Sequence, residues 1–433
     1  VVEVLGPRSF DERGRQLERR GRFVGRAAEL AELQQAYDVA RSAGTRRCAL
    51  VVGGAGTGKS RLVAELVARI APTDAHVVAA SAGPGAQLLP YALYTDVLDA
   101  LLDLPPARGR DARQRARTRL EHLLERAGHA PDAIAAAGDT WRTAMELRDG
   151  AALLPAAPAE LRVRLAQCLT AVAAAERPGR PRVVVIEDLH LADTTSVAIL
   201  RDWIFSAADR GELVLATARP EHPSFPSDVI VELGDLAGDE LHALCADRLA
   251  DAATPEAIAA VIARAGGNPL FVEELAAAVS EAGGAEAPPS ARDVIAARVA
   301  RLPPPAKAVL QYAAVAGDGV RARILEELVG AAELTAELEE LGAEGLLLAA
   351  DRGAAVTADG ELAFARGLVR EVVYESLSTR ARRDAHLRIG RLYAARILQG
   401  REEPPSVVAD HLERGGDGAA AAAFWLRAAR LAA

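Results

Sequence analysis

Apolar residues along the chain follow two patterns. Short, mainly apolar runs occur at 48–52, 76–81, 182–186, 212–217 and 228–233. Their length and bounding turn residues predict strands buried on both faces. Between them, apolar positions recur at helical spacing. Leu30, Leu33 and Ala36 lead a helix to about residue 43, and helical patterns follow at 61–67, 90–104, 161–175 and 194–208. Strands alternating with helices predict an α/β domain, a parallel sheet with helices on both faces. In such a sheet ligands bind at the carboxyl ends of the strands. Residues 105–150 are Arg-rich, then Ala-rich, with few large apolar side chains, and read as a helical insertion.

Beyond Leu233 the pattern becomes helical. Three short helices are predicted at 239–249, 255–265 and 270–282, then a linker at 283–289. Residues 290–380 mix helices with a polar, turn-rich segment at 351–361. Leu346-Leu347-Leu348 and Leu362-Ala363-Phe364 flank that segment, which predicts a β-hairpin and a winged-helix-like unit. From Arg382 onward, paired amphipathic helices with a turn at Gly415-Gly416 read as the start of a TPR-like repeat array. The expected organisation is a linker or upstream tail (1–22), a nucleotide domain (23–234), a small helical domain (235–286), a winged-helix-like domain (287–381) and repeats (382–433). A chain that starts at Val1 and stops within an amphipathic helix is expected to be a piece of a larger protein.

Composition narrows the function classes. The 433 residues carry a net charge of −9, so no global basic field calls for nucleic acid or an anionic membrane. Cys48, Cys168 and Cys245 are far apart and form no C-x-x-C pair, which suits small core residues in a reducing compartment. No apolar run reaches bilayer length and no signal peptide is visible, so the expected location is cytoplasmic.

The chemistry starts at Gly53-Gly54-Ala55-Gly56-Thr57-Gly58-Lys59-Ser60, followed by Arg61. This is G-x-x-x-x-G-K-[ST] between a predicted strand and a predicted helix, the context a phosphate-binding loop requires. Glycines let backbone N–H groups curl around a β-phosphate, and the helix N-terminus favours the anion. Lys59 is expected to reach the β- and γ-phosphates and the Ser60 hydroxyl to hold Mg²⁺. Phosphoryl transfer also needs a carboxylate near that metal and a group that orients water. Glu187 and Asp188 end an apolar strand and supply both, and which takes which role stays open. His190 has no second His or Cys at ligand spacing and reads as structural. Asp193 is a predicted helix N-cap. Thr217 and Arg219 end the next strand, where an arginine can sense a γ-phosphate. Gly266-Gly267-Asn268-Pro269 reads as a helix stop and restart that also lets backbone approach a ligand.

In order along the chain stand Phe23-Val24-Gly25-Arg26, the loop, Glu187-Asp188-Leu189-His190-Leu191-Ala192-Asp193, Thr217-Ala218-Arg219-Pro220-Glu221 and Gly266–Leu275. Together they resemble the STAND-class, AAA-related P-loop ATPases found in large bacterial LuxR-type regulators and in cyclase- or kinase-linked ATPases. The resemblance implies an ATP/ADP switch that hydrolyses ATP slowly and controls an attached effector: a transcription regulator, nucleotidyl cyclase or kinase. It implies that Val24, Gly25 and Arg26 lie near the adenine, that Pro269 contacts the base, and that Arg219 senses the γ-phosphate. It also implies a signal ligand or protein acting through the C-terminal helices, and self-association in the ATP state. Two positions depart from the family pattern. Leu191 stands where a Trp is usual, and Arg366 stands where a His is expected to meet the phosphates. The alternatives are a ring-forming AAA+ remodeller that hydrolyses continuously, or a DNA-binding transcription regulator. The winged-helix segment is not notably basic, which weighs against direct nucleic-acid binding by this segment.

Overall fold

The computed structural model describes residues 22–70, 75–83, 86–104, 110–148, 158–176, 179–206, 211–221, 224–281, 290–317, 319–331, 334–349, 360–365, 367–401 and 403–432. The expectations for the N-terminal tail and for Arg366 lie outside the described residues.

The first half builds one sheet. Helix α1 (Ala27–Ala43) precedes β1 (Arg46–Gly53), α2 (Lys59–Ile70) and β2 (His76–Ser81). Helices α3 (Ala92–Leu101), α4 (Arg110–Arg126), α5 (Pro131–Arg148) and α6 (Pro158–Ala175) follow, then β3 (Arg182–Glu187), α7 (Thr194–Ile204), β4 (Glu212–Ala218) and β5 (Val229–Leu233). The five strands are parallel in the order β2-β3-β4-β1-β5. Strand β4 therefore lies between the strand that feeds the glycine loop and the strand that ends in the two acids. In register, Val52 of β1 faces Ala218, and Ile186 of β3 faces Ala216.

Alternate residues of β1 to β4 enter different cores, as a period of two demands when both faces are covered, while the edge strand β5 buries only Val231 and Leu233. Ala49 and Val51 pack with Leu33, Leu62 and Leu66 from α1 and α2. Cys48 and Leu50 face the opposite core with Leu98, Leu169 and Trp203. Helices α4 and α5 also enter this second core, through Leu120, Leu123, Leu124, Trp141 and Met145. The described part of this segment, 110–148, is thus part of the domain's packing. Its few large apolar residues share one face, so low overall hydrophobicity still yields a buried stripe.

A buried ionic cluster pins the N-terminal strand ends. Glu212 stands opposite both Arg46 and Arg182 in the ladder. It accepts from Arg46 Nε at 2.5 Å and from Arg182 Nη1 at 2.9 Å. The Arg46 guanidinium also lies 4.6 Å from the centroid of a Trp203 ring.

The second half holds two further cores and a helical tail. Helices α8 (Gly238–Leu249), α9 (Pro255–Ala265) and α10 (Pro269–Glu281) close around Leu241, Leu244, Val261 and Leu275. Then come α11 (Ala291–Arg301), α12 (Pro304–Ala316), β6 (Val320–Arg321), α13 (Ala322–Val329), α14 (Thr335–Ala343), β7 (Leu347–Ala349), β8 (Glu361–Phe364) and α15 (Gly367–Ser376). They share Leu310, Leu325, Leu341, Phe364 and Val373. The two apolar flanks pair antiparallel as β7 and β8, in a three-stranded antiparallel sheet ordered β6-β8-β7, and the turn-rich segment between them lies almost wholly outside the described residues. Strand β6 has two residues, too few to leave a periodic signal. Helices α16 (Thr379–Leu398), α17 (Pro405–Arg414) and α18 (Gly418–Ala432) complete the chain. Among the described residues no helix is long and apolar enough to cross a membrane.

Candidate nucleotide-binding site

The glycine loop turns between the end of β1 at Gly53 and the start of α2 at Lys59. Gly56 and Gly58 take φ of 80° and 98°, values L side chains rarely adopt. The Thr57 hydroxyl donates to the Gly54 carbonyl at 3.0 Å and braces the turn. Lys59 is buried, and its ammonium donates to the carbonyls of Gly53 and Gly54 at 2.9 and 2.8 Å. Burial pulls its pKa below the ordinary lysine value. Asp188 pulls back, Arg219 pushes further down, and Glu187 again pulls back. These four side chains therefore share one electrostatic locus.

Glu187 closes β3 and is buried, and its carbonyl accepts from Ala82 N–H at 2.9 Å. Asp188 follows at φ 56°, and its N–H donates to the Thr217 hydroxyl oxygen at 3.1 Å. Thr217 lies in β4, so the central strand fixes the turn that presents the acids. Asp193 caps α7 by accepting from Ser196 N–H at 2.8 Å, and it also accepts from Tyr91 N–H at 3.0 Å. His190 sits between these groups. Burial, then Arg219 and Lys59, hold its pKa down to about 4, so the ring is neutral at pH 7.

Residues far along the chain form the other wall. Asn268 Nδ2 donates to the Ala55 carbonyl at 2.9 Å, and Leu270 N–H donates to the Gly56 carbonyl at 3.3 Å. A Cβ added to Gly56 would stand 2.6 Å from Asn268 Oδ1 and 2.7 Å from Leu270 Cβ. Phe23 packs on the sheet core while Val24 packs on the helical core. Arg26 N–H donates to Glu240 Oε1 at 3.1 Å, and the Arg26 guanidinium reaches Glu29 and the Gly234 carbonyl. Pro269 opens α10 beside the loop. Ser60 is exposed in the first turn of α2, with Arg61 partly buried beside it. Arg219 leaves β4 and pairs with Glu371 of α15 at 3.8 Å.

Of the residues singled out from the sequence, Lys59, Glu187, Asp188 and Arg219 converge at the strand ends. Val24, Gly25, Arg26 and Pro269 flank the junction between sheet and helical unit. Three contributors escape sequence reasoning: Asn268, Glu240 and Glu371. Asn268 was visible only as a turn residue, since its partner lies 213 positions away. Glu240 and Glu371 sit in ordinary helical patterns and carry no local signal.

The donor set fits a polyphosphate. The loop has its cation beside it, a helix N-terminus behind it, and open space where a Cβ on Gly58 would stand. Residues 22–215 match the family model of the AAA ATPase domain. Over residues 22–215, a little under half of the chain, the likeness is to an AAA ATPase domain. Over its larger extent the chain is similar to an uncharacterized protein of Rhizobium meliloti (strain 1021), at 26% identity over 426 residues, covering 92% of this chain and 39% of that protein. It is also similar to a signal transduction ATPase with numerous domains (STAND) and a tetratricopeptide repeat sensor from Pyrococcus horikoshii. That likeness has a TM-score of 0.47 at 15% identity, covering 91% of this chain and 48% of the other. A third is the ORC1 protein of Aeropyrum pernix in complex with DNA, with a TM-score of 0.34, 15% identity, and 82% and 94% coverage. The chain thus spans less than half the length of the Rhizobium and Pyrococcus proteins. The glycine loop, the two acids and the exit of β4 lie together at the carboxyl edge of the parallel sheet.

Proposed function

We propose that the chain is the switch module of a STAND-class regulator. It binds Mg-ATP, hydrolyses it slowly, and passes the ATP or ADP state to an effector carried elsewhere in a longer protein. The observation that carries this reading is the pair of hydrogen bonds from Asn268 and Leu270 to the carbonyls of Ala55 and Gly56. A helical unit bonded directly to the phosphate-binding loop is placed to feel what the loop holds.

In this reading the backbone N–H groups of 54–60 and Lys59 bind the β- and γ-phosphates. Ser60 with Glu187 or Asp188 holds Mg²⁺, which neutralises charge on the phosphates when bound. The other acid orients water, and the bond from Asp188 N–H to Thr217 keeps its backbone in place. Arg219 meets the γ-phosphate. Val24, Gly25, Arg26 and Pro269 line the base side, Arg61 flanks the phosphates, and Arg366 is the residue that in sequence takes the place of the family's phosphate-contacting His. The segment 287–381 acts as a winged-helix-like unit, and α16–α18 begin a TPR-like array that receives a signal ligand or protein. Self-association in the ATP state and a cytoplasmic setting belong to the same reading.

Magnitudes allow such a switch. Moving a population from 1:99 to 99:1 takes about 5.5 kcal/mol of differential binding. Each charge-assisted hydrogen bond contributes about 1.5–3 kcal/mol, so two or three γ-phosphate contacts suffice. Limited proteolysis with ADP, with a non-hydrolysable ATP analogue and with neither tests the reading. Distinct cleavage patterns for ADP and the analogue support a switch. Identical patterns, or turnover well above about one per second without any partner, would point to a continuously working motor instead.

A further inference from the structure

Arg219 leaves the central strand within the electrostatic reach of Lys59 and His190. Its guanidinium nevertheless has a partner in another core. Arg219 Nη2 lies 3.8 Å from Glu371 Oε1, on a helix more than a hundred residues further along the chain. The other oxygen of Glu371 lies 3.5 Å from Arg292 Nη2 on α11, and Arg292 also pairs with Glu375. Glu371 and Glu375 are one helical turn apart on the same face of α15. The helix is held from its other side: Val372 and Val373 are buried, and Arg370 Nε donates to the Ala314 carbonyl of α12 at 3.2 Å. Helix α15 therefore has little freedom to follow Arg219 if the arginine swings toward the loop.

We propose that Glu371 is a positioning residue for Arg219, a resident carboxylate that competes with the γ-phosphate for the same guanidinium. The proposal rests on the reading of Arg219 as the γ-phosphate sensor. Arg219 and Glu371 are 44% and 41% exposed, so their pair is weak and salt-sensitive. It is a bias and not a lock. A γ-phosphate carries more charge than one carboxylate and takes the arginine. Glu371 is then left to Arg292, and the contact between the end of β4 and α15 is released. Without a γ-phosphate the contact re-forms. Because linkage is reciprocal, whatever separates α15 from β4 also raises affinity for ATP and leaves ADP unaffected.

Calorimetric titration of the full chain with Mg-ADP and with a non-hydrolysable Mg-ATP analogue tests this without relying on turnover. Glu371→Gln is expected to tighten the ATP analogue about two- to fivefold, the range an exposed ion pair supports, with ADP unchanged. In an Arg219→Ala background the same substitution is expected to change neither. Equal tightening of both nucleotides, or tightening that persists without Arg219, overturns the proposal. Arg292→Gln is expected not to tighten the analogue. If it does so as Glu371→Gln does, the effect comes from loosening α11 against α15, and the proposal fails. If Arg219→Ala lowers the preference for the ATP analogue but Glu371→Gln has no effect, the sensor reading stands and the proposal alone falls. If Arg219→Ala leaves the preference unchanged, the sensor reading falls and takes the proposal with it.

Discussion

Asn268 donates its side-chain amide to the Ala55 carbonyl at 2.9 Å, joining the turn before α10 to the tip of the glycine loop. The same side chain accepts from Leu270 N–H at 3.0 Å, so its orientation is fixed by its own turn. Asn268→Ala is expected to loosen the helical unit from the ATPase domain. Losing one hydrogen bond of this kind is expected to weaken the contact by about 0.5–1.5 kcal/mol. Gly56→Ala attacks the same contact from the other side and is expected to be worse, since its Cβ meets Asn268 and Leu270 inside 3 Å at a positive φ. Hydrogen exchange of the 54–60 and 266–272 amides checks this. Both segments should lose protection together in each variant.

Thr217→Val keeps the shape of β4 but leaves the Asp188 N–H without its acceptor. The donor is partly buried, so losing its acceptor costs about 1 kcal/mol, the low end of the range for an unsatisfied donor. The turn that presents Glu187 and Asp188 is expected to shift, lowering the ATP turnover rate about tenfold or more, while nucleotide affinity changes little. Steady-state turnover beside equilibrium nucleotide binding separates the two effects. A variant carrying both Glu187→Gln and Asp188→Asn is expected to lose turnover, and undiminished turnover would remove the two acids from the chemistry.

A pH effect is expected from α15, α16 and α17. His386 Nδ1 and His411 Nδ1 lie 2.9 Å apart, and the Tyr374 hydroxyl sits 3.1 Å from His386 Nε2. Two ring nitrogens that close need one N–H and one lone pair, so at least one of the two rings is neutral. Burial, then Arg414 and Arg370, hold the His386 pKa down to about 4. Burial, then His386, Arg414 and Arg370, hold the His411 pKa down to about 3. Tyr374 and Tyr393 also face the pair, and the Tyr393 phenol is pushed up to about 12, so Tyr393 supplies no negative charge. The folded pKa values lie below the ordinary 6.5, so between about 4 and 6.5 the unfolded chain binds more protons. The stabilisation is complete above pH 6.5 and declines as pH falls toward the folded values. Melting temperatures measured from pH 8 to pH 5 should fall on the acid side, and His411→Leu should flatten that fall.

Glu212 is shared by Arg46 and Arg182 with all three side chains buried. Glu212→Gln leaves two buried guanidinium groups without their counter-charge and is expected to destabilise the ATPase domain by about 3–5 kcal/mol. Denaturant unfolding measures it. A loss under about 1 kcal/mol would mean that water or a neighbouring carbonyl compensates.

Local sequence determined the parts whose physics is local. Short, mainly apolar runs gave the five strands of the parallel sheet, because a strand covered on both faces is apolar at most positions. The glycine loop was legible because its geometry depends on positive φ at Gly56 and Gly58 and on a lysine at a fixed offset. The helix at 194–204 was legible in its cap, since Asp193 bonds an amide three residues away. The tertiary structure decided the rest, because the partners lie far apart in sequence. No local signal says that β4 lies between β1 and β3, yet that order brings Thr217 to Asp188 and Arg219 to the field of Lys59. Helices α4 and α5 read from sequence only as a helical insertion, whereas the fold places Trp141 and Met145 in the main core. Asn268 and Glu371 act on residues well over a hundred positions away, through a hydrogen bond and an ion pair that exist only once separate cores are packed against each other.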